Sequence, residues 1–255
     1  MPSIPSYRSA LITGASSGIG RALALWFARK GTHVWAAARR RDALNTLAEE
    51  ARSAGGRVLP FALDVTDTEE TVRLIRTLDE ECGGLDLVVA NAGISVATDG
   101  RRLDWSDVEK ILQVNVLGAA ATLSAALPAM VSRGRGHLVG VSSLAAWRGM
   151  PRFSAYCGSK AFLSVFLEGL RVDLRKAGLR VTSIHAGYVK SEITAGGRQD
   201  RMPFLVETDD AADRIGRAIL RGDRVYSFPW QLRSLARVVN GLPDGLFDRL
   251  ARGKK

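Results

Sequence analysis

Ser9-Ala-Leu-Ile-Thr13 runs directly into Gly14-Ala-Ser-Ser-Gly-Ile-Gly20 and from there into an amphipathic stretch over Arg21–Lys30. The short apolar run before the glycines reads as a strand buried on both faces. Glycines 14, 18 and 20 permit a tight turn and let the main chain approach a pyrophosphate closely. A helix beginning near Gly18 aims free N–H groups and its positive dipole end at that anion, with Ser16, Ser17 and Ile19 completing the cradle. The spacing is G-x-x-x-G-x-G, where the widespread dinucleotide pattern is G-x-G-x-x-G. A glycine-rich turn can be only a turn. Between an apolar strand and an amphipathic helix it points to nucleotide phosphates.

The alternation continues along the chain. Strand-like runs recur at His33–Ala38, Arg57–Leu63, Leu85–Ala90, Gly136–Val141, Arg180–His185 and Arg224–Phe228. Helical patterns lie between them at Asp42–Ala54, Thr68–Glu81, Trp105–Val131, Phe153–Lys176 and Asp209–Leu220. Repeated β–α units predict an α/β fold: a doubly wound, seven-stranded parallel sheet with right-handed crossovers and helices on both faces. No repeat or linker splits the 255 residues, which predicts one domain with a core over about 8–228 and a helical extension over 229–255. The segment 187–206, with Gly196-Gly197 and no clear period, reads as a binding loop or lid.

The end of the second strand bears on the cofactor. Folds that select NAD place an acid there for the ribose 2′-hydroxyl, whereas an arginine accommodates a 2′-phosphate. This chain reads Ala38-Arg-Arg-Arg41, with no acid before Asp42. Arg39 or Arg40 can pair with a phosphate through charge-assisted hydrogen bonds, so the expected cofactor is NADP(H).

Composition narrows the class. Hydrophobic residues make up 46% and charged residues 24%, ordinary for a globular protein. The net charge of +10 is scattered, with short clusters at Arg39-Arg40-Arg41 and Lys254-Lys255 and no nucleic-acid motif, so a solvated basic surface is expected and no nucleic-acid partner. The residues from Met1 to Arg8 lack the apolar run of a signal peptide, and no stretch approaches about 18 uninterrupted apolar residues. Cys82 and Cys157 make neither a disulfide framework nor a metal spacing, and no metal site is expected. These features favour a cytoplasmic setting with packed thiols.

Tyr156 and Lys160, four apart in Ser154-Ala-Tyr-Cys-Gly-Ser-Lys160, share one helix face. A free tyrosine, with pKa roughly 10, holds its proton too tightly for acid–base work at neutral pH. A neighbouring ammonium is expected to lower it. The alternative is a solvated helix lysine beside an unrelated phenol.

Taken in order, the glycine turn, Asn91-Ala92-Gly93, Asn115-Val-Leu-Gly118, Ser142-Ser143 and Tyr156-x-x-x-Lys160 resemble the short-chain dehydrogenase/reductase family over about residues 8–228. The resemblance implies a Rossmann-like oxidoreductase that moves a hydride between a nicotinamide and a carbonyl or secondary alcohol. Tyr156 would be the general acid or base, Lys160 would lower its pKa and hold the nicotinamide ribose, and Ser143 would bind the substrate oxygen. Asn115 would help hold a relay water. Asp64 and Val65 would lie at the adenine, Asn91, Ala92 and Gly93 along the adenosine side, and Gly187, Val189 and Ser191 at the nicotinamide and phosphates. Structural alternatives stand beside these roles: Ser142 and Ser143 end a strand, Asn115 is a helix amide bonding backbone, and Asn91 and Gly93 serve as strand-end architecture. The family often has Pro-Gly where this chain has Ala186-Gly187, which loosens the preset turn. A non-catalytic NADPH sensor is the competing function.

Ala145, Trp147, Met150, Phe153, Tyr188 and part of 196–204 are expected to wall a pocket for a hydrophobic carbonyl or alcohol. Trp147 reads equally as core. His33, His137 and His185 sit in strand-like runs without metal partners and read as core or strand-end residues. In the tail, Leu232, Leu235, Ala236 and Val239 recur at helical spacing, with Leu246, Phe247 and Leu250 in a second short helix. Packing over the pocket or on a partner subunit is favoured over a membrane interface. The resemblance also implies a homodimer or homotetramer, formed through the helices at Trp105–Val131 and Phe153–Lys176.

Overall fold

The computed structural model describes residues 7–195 and 202–251. Its strands are β1 (Ser9–Thr13), β2 (His33–Ala38), β3 (Arg57–Ala62), β4 (Leu87–Ala90), β5 (Gly136–Ser143), β6 (Leu179–Ala186) and β7 (Val225–Phe228). All pair parallel, in the order β3-β2-β1-β4-β5-β6-β7. The expected doubly wound sheet is present.

Side chains along a strand point alternately to the two faces, so each buried strand feeds two cores. Ala10, Ile12, Leu87 and Val89 pack on one face with α1 (Gly18–Ala28), α2 (Arg41–Ser53) and, further along the chain, the helix over Thr208–Arg221. Leu11, Val88 and Ala90 pack on the other with α3 (Thr68–Glu81) and the helices over Ala119–Arg133 and Ser154–Asp173. Pro60, which cannot donate to a ladder, falls on the edge strand β3, where its missing N–H costs nothing.

The long helix expected over Trp105–Val131 is divided. It comprises α4 (Trp105–Leu112), a π-helical stretch at Gln113–Gly118 and α5 (Ala119–Arg133). The cause is local: a Cβ on Gly118 would lie 2.8 Å from the Val65 carbonyl oxygen, so the bare glycine and the wider π turn let the helix settle against the loop after β3. By length and composition Trp105–Arg133 could cross a bilayer, but Leu123, Ala126 and Met130 are fully buried against the sheet.

Helix α6 (Ser154–Asp173) ends in a 3₁₀ turn at Leu174–Lys176. The described part of the loop after β6 carries regular structure. It contains the short α7 (Glu192–Ala195), and its ends are tied by Val206 N–H to the Tyr188 carbonyl (3.0 Å) and Lys190 N–H to the Val206 carbonyl (2.9 Å). The expected pocket wall at 196–204 falls largely on residues 196–201, outside the described residues, as does the Lys254-Lys255 cluster.

After α8 (Thr208–Arg221) and β7 come α9 (Trp230–Asn240) and α10 (Asp244–Ala251). The last carbonyls of a helix lack partners within it. Here Arg148 supplies them, donating to the carbonyls of Val239 (3.3 Å), Asn240 (3.0 Å) and Leu242 (2.8 Å). The same guanidinium reaches Asp244 at 2.8 Å and lies 4.2 Å from the Phe247 ring centre. A cation at this end also suits the helix dipole. Arg148→Ala should remove these charge-assisted bonds, at a cost of about 1.5–3 kcal/mol, and let the tail swing free. Limited proteolysis should then cut beyond Phe228 well before it attacks the sheet. Wild-type resistance in the variant would show that the tail is held by something else.

Candidate active site

In an open parallel sheet the crevice forms at the carboxyl edge where strand order reverses. That point lies between β1 and β4, whose ends Thr13 clasps together. Its buried hydroxyl accepts the N–H groups of Asn91 (3.1 Å) and Ala92 (3.2 Å), and the Asn91 side-chain amide donates back to the Thr13 carbonyl at 2.9 Å. Thr13 is a site residue that sequence reasoning missed, because its partners lie nearly eighty positions away.

The glycine turn fits against this clasp. Gly14 takes φ +68°, and a Cβ there would meet the Ala92 Cα at 2.7 Å. A Cβ on Gly20 would collide with the Asn91 amide and the Gly14 carbonyl. Helix α1 starts at Gly18 with no side-chain cap from Ser17 and no acid in its first turn. By contrast, α3 and α4 are capped by Asp67 and Asp104. The first N–H groups of α1 therefore remain available to an anion, beside a surface that only glycine leaves open. These residues fit a dinucleotide pyrophosphate.

From the end of β2, Arg40 reaches across the turn. Its guanidinium bonds the Ser16 hydroxyl at 3.0 and 3.2 Å, the Ser17 hydroxyl at 2.9 Å and the Glu192 carboxylate at 2.8 and 3.0 Å. Arg39 lies 3.8 Å from Asp64, whose other oxygen accepts from the Thr66 N–H and hydroxyl. Val65 is buried against Gly118 and serves the packing of the π stretch.

Further along the same sheet edge, β5 delivers Ser143 and α6 delivers Tyr156 and Lys160. The Ser143 hydroxyl accepts from the Ala145 N–H at 3.1 Å and donates to the Ala186 carbonyl at 3.2 Å, on the side facing Tyr156. Lys160 is 6% exposed, which excludes the solvated-lysine reading. Its Nζ donates to the Val141 carbonyl at 2.9 Å and sits 3.2 Å from where a Gly93 Cβ would be. Burial pushes the ammonium down to about 8, and among the described residues no carboxylate pairs with it. It stays mostly charged at pH 7. A buried, unpaired cation of this kind is costly to keep and marks functional sites.

The expectation for the phenol needs correcting. Burial raises Tyr156 above the ordinary tyrosine value; the Ser143 hydroxyl opposes this, and the Cys157 thiol adds slightly to the rise. Lys160 does not reverse the balance: its Nζ is 5.9 Å from the Tyr156 ring centre and its charge is directed at the Val141 carbonyl. Spacing on a helix identified the neighbour but not the competing desolvation.

The Asn115 side chain bonds backbone and a neighbouring hydroxyl. Its carbonyl oxygen accepts from the Ile94 N–H at 2.8 Å, and its amide donates to the Ile94 carbonyl (2.9 Å) and the Ser159 hydroxyl (3.0 Å). Both amide protons are committed, so the side chain braces the π stretch against the Gly93–Ile94 segment and α6. Ser142 bonds the Lys160 carbonyl at 2.9 Å and the Ser164 hydroxyl, fixing α6 on the sheet. Cys157 is buried, and desolvation raises its thiol. Trp147 is half-buried and donates its indole N–H to His185 Nδ1 at 2.7 Å, which makes it a strut between the turn after β5 and β6.

Ala186 extends β6 by one residue, pairing with Ser143 on one side and Phe228 on the other. The missing proline thus lengthens the ladder instead of loosening the turn. Gly187 N–H donates to the Phe228 carbonyl at 2.8 Å, and a Cβ on Gly187 would meet Leu232 at 2.8 Å, so the first turn of α9 closes against this end of the crevice. Val189 is buried, and Ser191 N–H bonds Thr194 at 2.9 Å.

The short chain dehydrogenase family profile matches residues 8–202. The chain belongs to that family. An uncharacterized oxidoreductase of Myxococcus xanthus (strain DK1622) is 58% identical over 247 residues, 97% of each chain. A short-chain dehydrogenase from Sphingobium yanoikuyae, solved in complex with NADPH, superposes with TM-score 0.80 at 25% identity, covering 92% of this chain and 96% of that one. A short chain dehydrogenase/reductase from Burkholderia phymatum, solved with NAD, reaches TM-score 0.82 at 23% identity over 90% and 92%, a likeness of fold alone. This short-chain dehydrogenase is thus an oxidoreductase that depends on a nicotinamide cofactor.

Proposed function

We propose that the chain is an NADP(H)-dependent oxidoreductase acting on a carbonyl or secondary alcohol, with Tyr156 as general acid and base. The observation that carries this reading is the convergence of Tyr156, Ser143 and a buried, unpaired Lys160 at the same sheet edge as the glycine cradle. Arg39 and Arg40, with no acid at the end of β2, support the phosphorylated cofactor.

The nicotinamide supplies the hydride when bound. The protein's own part is positional and electrostatic. Tyr156 places a hydroxyl donor where charge grows on the substrate oxygen and gives up its proton there, and Ser143 can join it by turning its proton from the Ala186 carbonyl to that oxygen. Lys160 offers an ammonium that burial keeps from water. The phenol, raised by burial above its ordinary value, carries its proton at neutral pH and so can serve as the acid of a reduction. The segments following β5 and β6 present Met150, Phe153, Ile193 and Phe204 as exposed apolar side chains, which supports a hydrophobic substrate.

Loss of reduced-nicotinamide absorbance against a panel of apolar aldehydes, ketones and quinones tests the reading. NADPH should be consumed, and faster than NADH. Tight NADPH binding with no consumption across the panel would replace it with a sensor.

A further inference from the structure

Glu192 opens α7, in the loop after β6, yet its carboxylate lies across the glycine turn. It accepts the Ser17 hydroxyl at 3.0 Å and both terminal nitrogens of Arg40, at 2.8 and 3.0 Å. Arg40 in turn bonds Ser16 and Ser17. Three segments distant in sequence thus meet at one guanidinium: the end of β2, the phosphate turn and the loop after β6. The backbones are close as well, since a Cβ on Gly18 would stand 3.1 Å from the Ser191 Cβ.

A planar guanidinium that grips a carboxylate with two nitrogens uses the same fork it would offer to a phosphate. It cannot offer that fork to both at once. A cofactor with a 2′-phosphate must therefore displace the carboxylate and also approach a like charge. A cofactor with a 2′-hydroxyl meets neither obstacle, and its O–H can donate to a carboxylate. We infer that Glu192 is a specificity-determining residue for the adenosine end of the cofactor, restraining Arg40 and thereby narrowing the chain's preference for NADP(H) over NAD(H). The inference rests on the NADP(H) reading above. Both side chains are more than half exposed, so their pairing contributes little to folding and its removal leaves the fold intact.

The test is calorimetric binding of two fragments, 2′,5′-ADP and 5′-AMP, to wild type, Glu192→Gln, Arg40→Gln and the double variant. Glu192→Gln should tighten 2′,5′-ADP by about three- to fivefold, the worth of an exposed ion pair, and leave 5′-AMP within about twofold. In the Arg40→Gln background the same change should have no effect. If wild type prefers 2′,5′-ADP and Glu192→Gln leaves that affinity unchanged or weakens it, the role given to Glu192 is overturned while the cofactor reading stands. If wild type and Glu192→Gln both bind the two fragments equally, the cofactor reading fails and the inference falls with it.

Discussion

Tyr156→Phe should lose at least about 10²-fold in turnover while binding NADPH as wild type does. The substitution removes one oxygen and keeps the ring, so the packing of α6 is preserved. Ser143 keeps its bonds to Ala145 and Ala186, and Lys160 keeps the Val141 carbonyl. What disappears is the proton that the proposed mechanism delivers to the substrate oxygen. Fluorescence titration with NADPH and single-turnover reduction separate the two quantities. A second reading comes from pH. Burial holds the phenol above its ordinary value, so reduction should persist across neutral pH, while oxidation should grow as pH rises and the phenol ionises. A Tyr156→Phe enzyme with undiminished turnover would remove the phenol from the mechanism.

The second large effect concerns acid. His137 lies at the amino edge of β5, buried, with Tyr7 at 2.6 Å from Nδ1 and the Thr182 hydroxyl at 2.8 Å from Nε2. Thr182 gives its own proton to the Asp223 carbonyl, so Nε2 carries the imidazole hydrogen and Nδ1 accepts from the phenol. His185 is assigned likewise: the Trp147 indole can only donate, so His185 Nδ1 accepts and Nε2–H serves Ser183. A proton on either Nδ1 would face a donor. Burial, helped at His137 by the charge of Arg180, pushes the two rings down to about 3 and about 4.

Both folded values lie below the roughly 6.5 of an unfolded histidine, so the unfolded chain takes up protons first as pH falls. Stability is fully present above that value. It is lost as pH drops from about 6.5 toward 4, by about 1.4 kcal/mol per pH unit for each ring. Urea midpoints at pH 7 and pH 4.5 measure the slope. His137→Gln should flatten it by about one proton whatever its starting stability. An unchanged slope in the variant would mean that His137 is not held neutral.

Contrasts between what the sequence announced and what it concealed follow a physical line. The glycine turn, the seven strands and the Tyr156–Lys160 pair were legible because each depends on neighbours a few positions apart, where backbone sterics and side-chain periodicity act. Ser9–Thr13, His33–Ala38 and Thr68–Glu81 match their expected limits for that reason. The clasp from Thr13 to Asn91, the Arg40–Glu192 pair, the Arg148 cap and the Tyr7–His137 bond join residues between 78 and 152 positions apart. No local pattern announces such partners. The π stretch was hidden in the same way, since only the nearness of Val65 tells why Gly118 must be bare. The direction of the Tyr156 shift also escaped, because burial belongs to the assembled fold.

Arg148 immediately follows Trp147, which braces the strand beside Ser143, and it grips the final helices through main-chain oxygens. Carbonyl groups are the same in every residue. Those three bonds are therefore blind to side chains, and apart from Asp244 and Phe247, which the same guanidinium also touches, the segment it retains can change sequence without coming adrift. Swapping it for a different amphipathic sequence should reshape what the enzyme admits while leaving its chemistry alone.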